Sequence, residues 1–307
     1  MSVIEKLALA LEKSEAKVIA FLRNAPNKYK IYTIPKRTSG HRIIAQPSKE
    51  LKLYQRKFLM LQKLPVHKSA MAYRNGLSIK DNAELHKRNR YLLKMDFENF
   101  FNSISSELFW SVWKNTIGTP TDLDKYTLER LLFWRPSKNT AGRLILSVGA
   151  PSSPMVSNFL MYKFDCLVHE ICASKEITYT RYADDLTFST CHKDVLFEVP
   201  ALIEANLEHL YDGALRINKR KTKFSSMAHN RHVTGVTINN KASLSLGRSR
   251  KRYIKHLTHQ FVLDKLSSDD RLHLRGLIAF AKHIEPTFFQ SLVKKYTAES
   301  ISKIIED

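Results

Sequence analysis

The sequence predicts an α+β protein of three subdomains, and three observations carry that expectation. Two β-like runs flank a basic turn near the N-terminus, a mixed centre alternates short apolar runs with helical periods, and residues 249–305 keep helical spacing throughout. In chain order, Ile4, Leu7, Leu11, Val18 and Leu22 predict a helix over 3–23. Runs at 29–34 and 42–45 read as strands around the hairpin turn 35–40, and 48–63 returns to helical period. Residues 91–95 form an apolar run that ends on Asp96 and predict a buried strand. Helices are expected over 105–116, 121–134, 154–174 and 193–209, and strands over 177–181, 186–189, 215–217, 221–225 and 233–238.

The 307 residues carry a net charge of +21, with 43% hydrophobic content and no low-complexity tract. Such a chain folds around a sizeable core and seeks a polyanion, nucleic acid before membrane. No apolar stretch approaches the roughly 20 residues that span a bilayer, and the N-terminal segment is amphipathic with early acids, unlike a secretory signal. Cys166, Cys172 and Cys191 lack C-x-x-C spacing and read as reduced thiols of a cytoplasmic protein.

Tyr182-Ala183-Asp184-Asp185 lies between two of the β-like runs. Adjacent carboxylates at a hairpin tip raise each other's pKa, and a hard divalent cation relieves the repulsion. Alone, the four residues fit a solvated turn equally well. A two-metal site needs a further carboxylate position. Asp96, at the end of its strand, supplies one, although a lone Asp after a strand also serves as a cap. Phe101, five residues on, can lie under a nucleotide sugar and collide with a ribose 2′-OH; Phe97, Phe100 and Phe101 are equally natural core residues, and two of the three are expected to be so. Gly149-Ala150-Pro151-Ser152-Ser153-Pro154 opens a helix with a rigid, small-residue turn that fits a template base or phosphate, or an ordinary capped loop. Lys219, Arg220 and Lys221 form a charge run that is either a solvated face or a triphosphate contact, and Lys36, Arg37 and Arg42 offer a grip from the other side.

In order and content these motifs resemble the reverse transcriptases: an Asp with an aromatic five residues on, a Gly-x-Pro-x-Ser-Pro turn, Tyr-x-Asp-Asp, and Ile-Asn-x-x-Lys-Thr at 217–222. The resemblance spans about residues 30–240. It implies a right-hand polymerase fold, with fingers over 1–90, a palm of antiparallel sheet packed on helices over 91–240 (with a helical insertion near 111–147), and a helical thumb over 241–307. It further implies that Asp96, the Phe97 backbone carbonyl, Asp184 and Asp185 hold two Mg²⁺ ions (or Mn²⁺), that Phe101 gates the sugar, and that Arg42, Gly149 and Lys221 meet the incoming dNTP.

Two more motifs resemble those of bacterial retron reverse transcriptases: Asn82-Ala83-Glu84-Leu85-His86 and Val233-Thr234-Gly235. By that resemblance Asn82, His86, Val233, Thr234 and Gly235 are expected at the RNA, although i, i+4 spacing also suits a structural polar pair. The cluster Arg248, Arg250, Lys251, Arg252 and Lys255, around Tyr253, suits RNA phosphates or a solvated helix face. One departure stands out, since Val148 occupies the position where the family usually has Gln before the glycine turn. The resemblance implies copying of a cognate structured non-coding RNA into branched single-stranded DNA from an RNA 2′-OH. It also implies host RNase H to remove the copied RNA, and an accessory effector in anti-phage defence. Group II intron or diversity-generating reverse transcriptases, and a non-catalytic RNA-binding scaffold, are the competing expectations.

Overall fold

Helices begin where the sequence supplies caps. The structure, a computed structural model, describes residues 2–36, 40–137 and 142–306, so the expected triphosphate residue Arg37 lies outside the described residues. Ser2 and Glu5 form a capping box for α1 (Val3–Leu11). The single helix expected over 3–23 is two: α1 ends on Glu12, which takes a left-handed φ of 52°, and α2 is Glu15–Leu22. Strands β1 (Tyr29–Pro35) and β2 (His41–Pro47) form an antiparallel ribbon with Ile31 opposite Ala45, followed by α3 (Lys49–Leu61) on a Ser48 cap.

A second capping box, Ser78 with Asp81, starts α4 (Ile79–His86), which leads to β3 (Tyr91–Asp96). Short α5 (Phe100–Ser103) is followed by α6 (Ser106–Thr116) and α7 (Asp122–Leu132). The helix expected from 154 to 174 divides at Met161 into α8 (Ser153–Leu160) and α9 (Tyr162–Ser174). After β4 (Thr178–Tyr182) and β5 (Asp185–Thr190), a 3₁₀ turn at Val195–Glu198 precedes α10 (Val199–Tyr211), whose first turn carries Pro200. Residues 215–217 contribute one isolated bridge, Phe97 to Ile217, rather than a strand. A 3₁₀ turn at Lys219–Lys221 precedes β6 (Lys223–Ser226). The strand expected over 233–238 is a hairpin of β7 (Arg231–Val233) and β8 (Val236–Ile238), joined to β9 (Leu244–Ser245). The tail is helical as expected: α11 (Arg248–Val262), α12 (Ser268–Ile284), α13 (Pro286–Tyr296) and α14 (Ala298–Glu306).

The central antiparallel sheet runs β4-β5-β3-β6. Its middle strand serves two cores, because successive side chains on a strand point to opposite faces. Leu93 and Met95 enter a cluster with Phe159, Phe164 and Ile203 that extends to Ile4, Leu7, Tyr54 and Phe58 of the N-terminal helices. Leu92 joins Ala83, Val233, Ile254, Ile278 and Leu292 in a second cluster that ties the sheet to the C-terminal helices. Full burial of each such side chain contributes about 1.5–3 kcal/mol. The strand that ends on Asp96 is therefore anchored from both sides. Among the described residues no helix is long and apolar enough to cross a membrane.

Candidate active site

Strand register brings the expected carboxylates together. β3 and β5 pair with Asp96 opposite Asp185, and β4 pairs with β5 so that Tyr182 faces Asp185, leaving Ala183 and Asp184 as a two-residue loop. The Phe97 N–H donates to the Asp184 carbonyl at 3.2 Å, and the Asn218 N–H donates to the Asp96 carbonyl at 2.7 Å. That second bond hangs the Lys219–Lys221 turn beside the sheet end, where Lys221 Nζ lies 2.9 Å from Asp96 Oδ1. Burial, with the Asp96 carboxylate second, raises the Asp184 pKa. Burial likewise pushes Asp185 up to about 6, with Lys94 opposing the shift and Asp184 and Asp96 adding to it.

A buried guanidinium holds the turn, and nothing in its sequence context marks it. Arg181 and Asp165 are both 0% exposed. Arg181 Nε donates to Asp165 Oδ1 at 2.9 Å and Nη2 to Oδ2 at 2.6 Å, a two-pronged pair reinforced by the Tyr179 hydroxyl at 2.7 Å from Oδ1. The remaining nitrogen, Nη1, donates to Asn158 Oδ1 and to the Ala183 carbonyl, each at 3.1 Å. Ala183 has φ 57°, a left-handed conformation that disfavours a Cβ, and Arg181 clamps its carbonyl.

Beside the carboxylates, Phe97 and Phe100 stack at 5.1 Å in the core, each 3% exposed. Phe101 instead lines a cavity of about 320 Å³ with Lys52, Arg56, Tyr73, Val148, Gly149 and Pro151. Gly149 has φ 130°, and a Cβ there would lie 3.2 Å from both the Ala45 carbonyl and Ile44 Cγ2. Only glycine lets β2 lie this close to the turn. The Ala45 N–H donates to the Val148 carbonyl at 3.1 Å, and the Ser147 hydroxyl donates to the Ala45 carbonyl. Arg42, exposed on β2, favours the ionised form of Asp184, so its charge is felt at the carboxylate end. Where the usual Gln would bring an amide, Val148 brings an apolar wall, and the polar groups come from Lys52, Arg56 and Tyr73. A larger cleft of about 610 Å³, between α10 and the Lys219–Arg220 turn, takes in those two cations of the 219–221 charge run but none of the three aspartates.

The expected RNA contacts need correction. Asn82, His86 and Val233 are all 0% exposed and cannot reach RNA. His86 lies under the catalytic hairpin, with Nδ1 2.7 Å from Ser189 Oγ and Nε2 2.7 Å from Thr180 Oγ1. Asn89 also donates to Ser189 Oγ at 2.7 Å, so both ring nitrogens of His86 and the Ser189 hydroxyl are engaged within the protein. Burial lowers the His86 pKa to about 3, keeping it neutral. Thr234 and Gly235 form the β7–β8 turn with φ 47° and 82°, the two-positive pattern of a type I′ turn. The Thr234 hydroxyl donates to the Ile79 carbonyl at 3.3 Å and accepts a long bond from Asn82 Nδ2 at 3.5 Å. Helix α4 is thus a bracket between the two hairpins, and the two motifs meet each other. In the C-terminal cluster, Lys251 is taken up by Glu285, and Arg250 Nη1 donates to the Gly235 carbonyl at 3.1 Å. Arg248 and Arg252 are exposed.

Carboxylates and a backbone carbonyl are hard oxygen donors suited to Mg²⁺ or Mn²⁺. Among the described residues no three acidic, His or Cys side chains already converge as a metal cluster, and Lys221 engages Asp96. The donor chemistry fits, with the Lys221 ammonium supplying the neutralising charge in this arrangement. Residues 34–238 match the family model described as reverse transcriptase (RNA-dependent DNA polymerase). The chain is 45% identical over 96% of its length to the retron Ec83 reverse transcriptase of Escherichia coli, covering 95% of that protein. It is 32% identical to the retron Ec73 reverse transcriptase of the same species, over 90% of this chain and 89% of that one. Among solved structures, a Candida albicans telomerase with a telomeric RNA fragment aligns at TM-score 0.48 and 14% identity, over 94% of this chain and 63% of that one. The chain belongs to the reverse transcriptases, the RNA-directed DNA polymerases of right-hand fold, and within them to the bacterial retron group.

Proposed function

We propose that this chain copies a cognate structured non-coding RNA into branched single-stranded DNA, primed from an RNA 2′-OH, with the chemistry at Asp96, Asp184 and Asp185. The observation that carries the reading is the β3–β5 register, which sets Asp96 opposite Asp185 at one sheet end beside the Phe101 cavity. The hydroxyl oxygen attacks the α-phosphorus of a dNTP; a P–O bond forms, the bond to pyrophosphate breaks, and the hydroxyl proton leaves to solvent. Asp96, Asp184, Asp185 and the Phe97 carbonyl would hold Mg²⁺, which when bound would supply charge neutralisation and acidify the attacking hydroxyl. Arg42 and Lys221 meet the triphosphate from opposite sides, Lys221 by exchanging Asp96 for phosphate. Phe101 excludes a ribose 2′-OH, and Gly149 keeps the turn close to the nucleotide. Residues 1–90 act as fingers, 91–240 as palm (with the insertion at 111–147) and 241–307 as thumb. Arg248 and Arg252, with the Thr234–Gly235 turn, face the RNA or RNA–DNA product. Host RNase H removes the copied RNA, and an accessory effector joins the complex in anti-phage defence.

The test is dNTP incorporation on co-purified RNA. Asp184→Asn with Asp185→Asn is expected to abolish incorporation while RNA binding persists, and incorporation surviving the double change refutes the assignment. Nucleic acid extracted from the purified protein is expected to contain RNase-sensitive, branched DNA.

A further inference from the structure

Between α3 and α4 the chain passes through a short buried run, Ser69–Ala72. Ala70 pairs with Arg181 in a parallel bridge, the Arg181 N–H donates to the Ser69 carbonyl and the Met71 N–H to the Arg181 carbonyl, both at 2.7 Å. Asn158 Nδ2 donates to the Ala72 carbonyl at 3.1 Å. Ala70, Met71 and Ala72 are at most 5% exposed, yet the next residue, Tyr73, is 54% exposed. Tyr73 also has φ 62°, a left-handed conformation costly for a bulky side chain. Its ring lines the same cavity as Phe101, Val148 and Pro151.

A structural role explains neither feature. A residue needed for packing would be buried, and one needed only for the backbone turn would be glycine or asparagine. Strain of this kind persists only where the surroundings impose it, and it gathers at functional sites. The surroundings are the hub that also holds the catalytic turn: Arg181 Nη1 bonds both the Ala183 carbonyl and Asn158, and Asn158 bonds Ala72. The position of Tyr73 is thereby set by the same charged group that sets Asp184. Lys52 and Arg56, one helical turn apart on α3, give the cavity a cationic wall suited to the phosphates of a strand whose base meets that ring.

We propose that Tyr73 is a stacking platform for the nascent base pair in the cavity it lines with Phe101. This rests on the polymerase reading above, and it assigns to an aromatic face the positioning that an amide in place of Val148 would otherwise share.

Single-nucleotide incorporation by the full chain on a primed RNA template, together with thermal unfolding, tests it. Wild-type activity comes first, and if the wild type incorporates no dNTP, the polymerase reading fails and not this one. Tyr73→Ala is expected to raise the KM for dNTP about tenfold, within the 5- to 150-fold that loss of one base-stacking ring produces, with a smaller change in kcat. Tyr73→Phe keeps the ring and is expected to retain the wild-type KM. Tyr73→Gly relieves the backbone, so it is expected to raise Tm while raising KM as much as alanine does. An unchanged KM in Tyr73→Ala overturns the proposal, as does a Tyr73→Phe variant that behaves like alanine. A Tyr73→Gly variant with raised Tm and unchanged KM overturns it equally.

Discussion

Two tight hairpin turns frame this enzyme, Ala183–Asp184 at the aspartate end of the sheet and Thr234–Gly235 beside the C-terminal helices, and they differ in whether the charge that holds them is buried. Each begins with a non-glycine residue in left-handed conformation, at φ 57° and 47° respectively. The first is gripped by a buried charge, Arg181 on Asp165, whereas the second is held from α4 by neutral groups, Asn82 and the Ile79 carbonyl, and from the solvent side by Arg250 on the Gly235 carbonyl. A buried ion pair is costly to break but fixes geometry in several directions at once. A neutral bracket tolerates change better, and it suits a part that links subdomains. The comparison teaches that the more diagnostic motif is not always the chemical one. Tyr-Ala-Asp-Asp carries the carboxylates, whereas Asn-Ala-x-x-His and Val-Thr-Gly find their partners largely in each other and in the sheet.

The most damaging way to break the contrast is Arg181→Met. It leaves Asp165 charged and unpaired in the core and is expected to lower stability by about 3–5 kcal/mol, read by urea denaturation, with loss of incorporation. A nearly neutral result would show that charge does not hold the catalytic turn.

Acid is expected to act on His86 and Asp185 with opposite sign. His86 has a folded pKa near 3, below the ordinary 6.5, so the unfolded chain binds more protons in that window. Stability is then lost as pH falls from 6.5 toward 3, by up to about 1.4 kcal/mol per unit. Asp185 has a folded pKa near 6, above the ordinary 3.8, so its unfavourable contribution appears as pH rises through that window and is full above 6. In metal-free buffer, His86→Gln is expected to flatten the loss on the acid side, and Asp185→Asn to raise stability above pH 6. Added Mg²⁺ is expected to raise the wild-type Tm more at pH 7.5 than at pH 5, because protons compete for the carboxylates. Identical pH slopes for both variants would remove the contrast.

Smaller effects sharpen it. Asn82→Ala and Thr234→Val are each expected to cost about 1 kcal/mol, with the double variant less destabilised than their sum by a few tenths, since the bond they share is long. Full additivity would mean that the motifs do not interact. Smallest of all, Ala183→Gly removes a left-handed Cβ and is expected to stabilise by about 0.5 kcal/mol after the entropy of glycine is offset. A loss of stability there would deny that the turn is strained.

Much of this site was legible because its chemistry demands particular residues at short range. Adjacent aspartates at a hairpin, an Asp closing an apolar strand, and a glycine-proline turn are local patterns, and the structure brings Asp96 and Asp184 to one sheet end and packs Gly149 against β2. That two of Phe97, Phe100 and Phe101 belong to the core was also legible, but which one faces the cavity depends on how α5 leaves β3. Gly235 inside the run 233–238 was an available sign of a hairpin, and reading that run as one strand overlooked it. Asn82 and His86 share a helical face, as their spacing implies, yet their partners Thr234, Thr180 and Ser189 lie far along the chain, so burial rather than RNA explains them. Arg181 reads as an ordinary polar strand residue, and Tyr73 as an unremarked loop aromatic.

By itself the sequence determined the order of elements, the basic character and the identity of the carboxylates, because these rest on composition and on interactions a few residues apart. Only the tertiary structure decided what each charge meets: Lys221 at Asp96, Asp165 under Arg181, Arg181 at the Ala183 carbonyl. Such pairings depend on strand register and helix packing, where a one-residue slip turns every side chain to the other face.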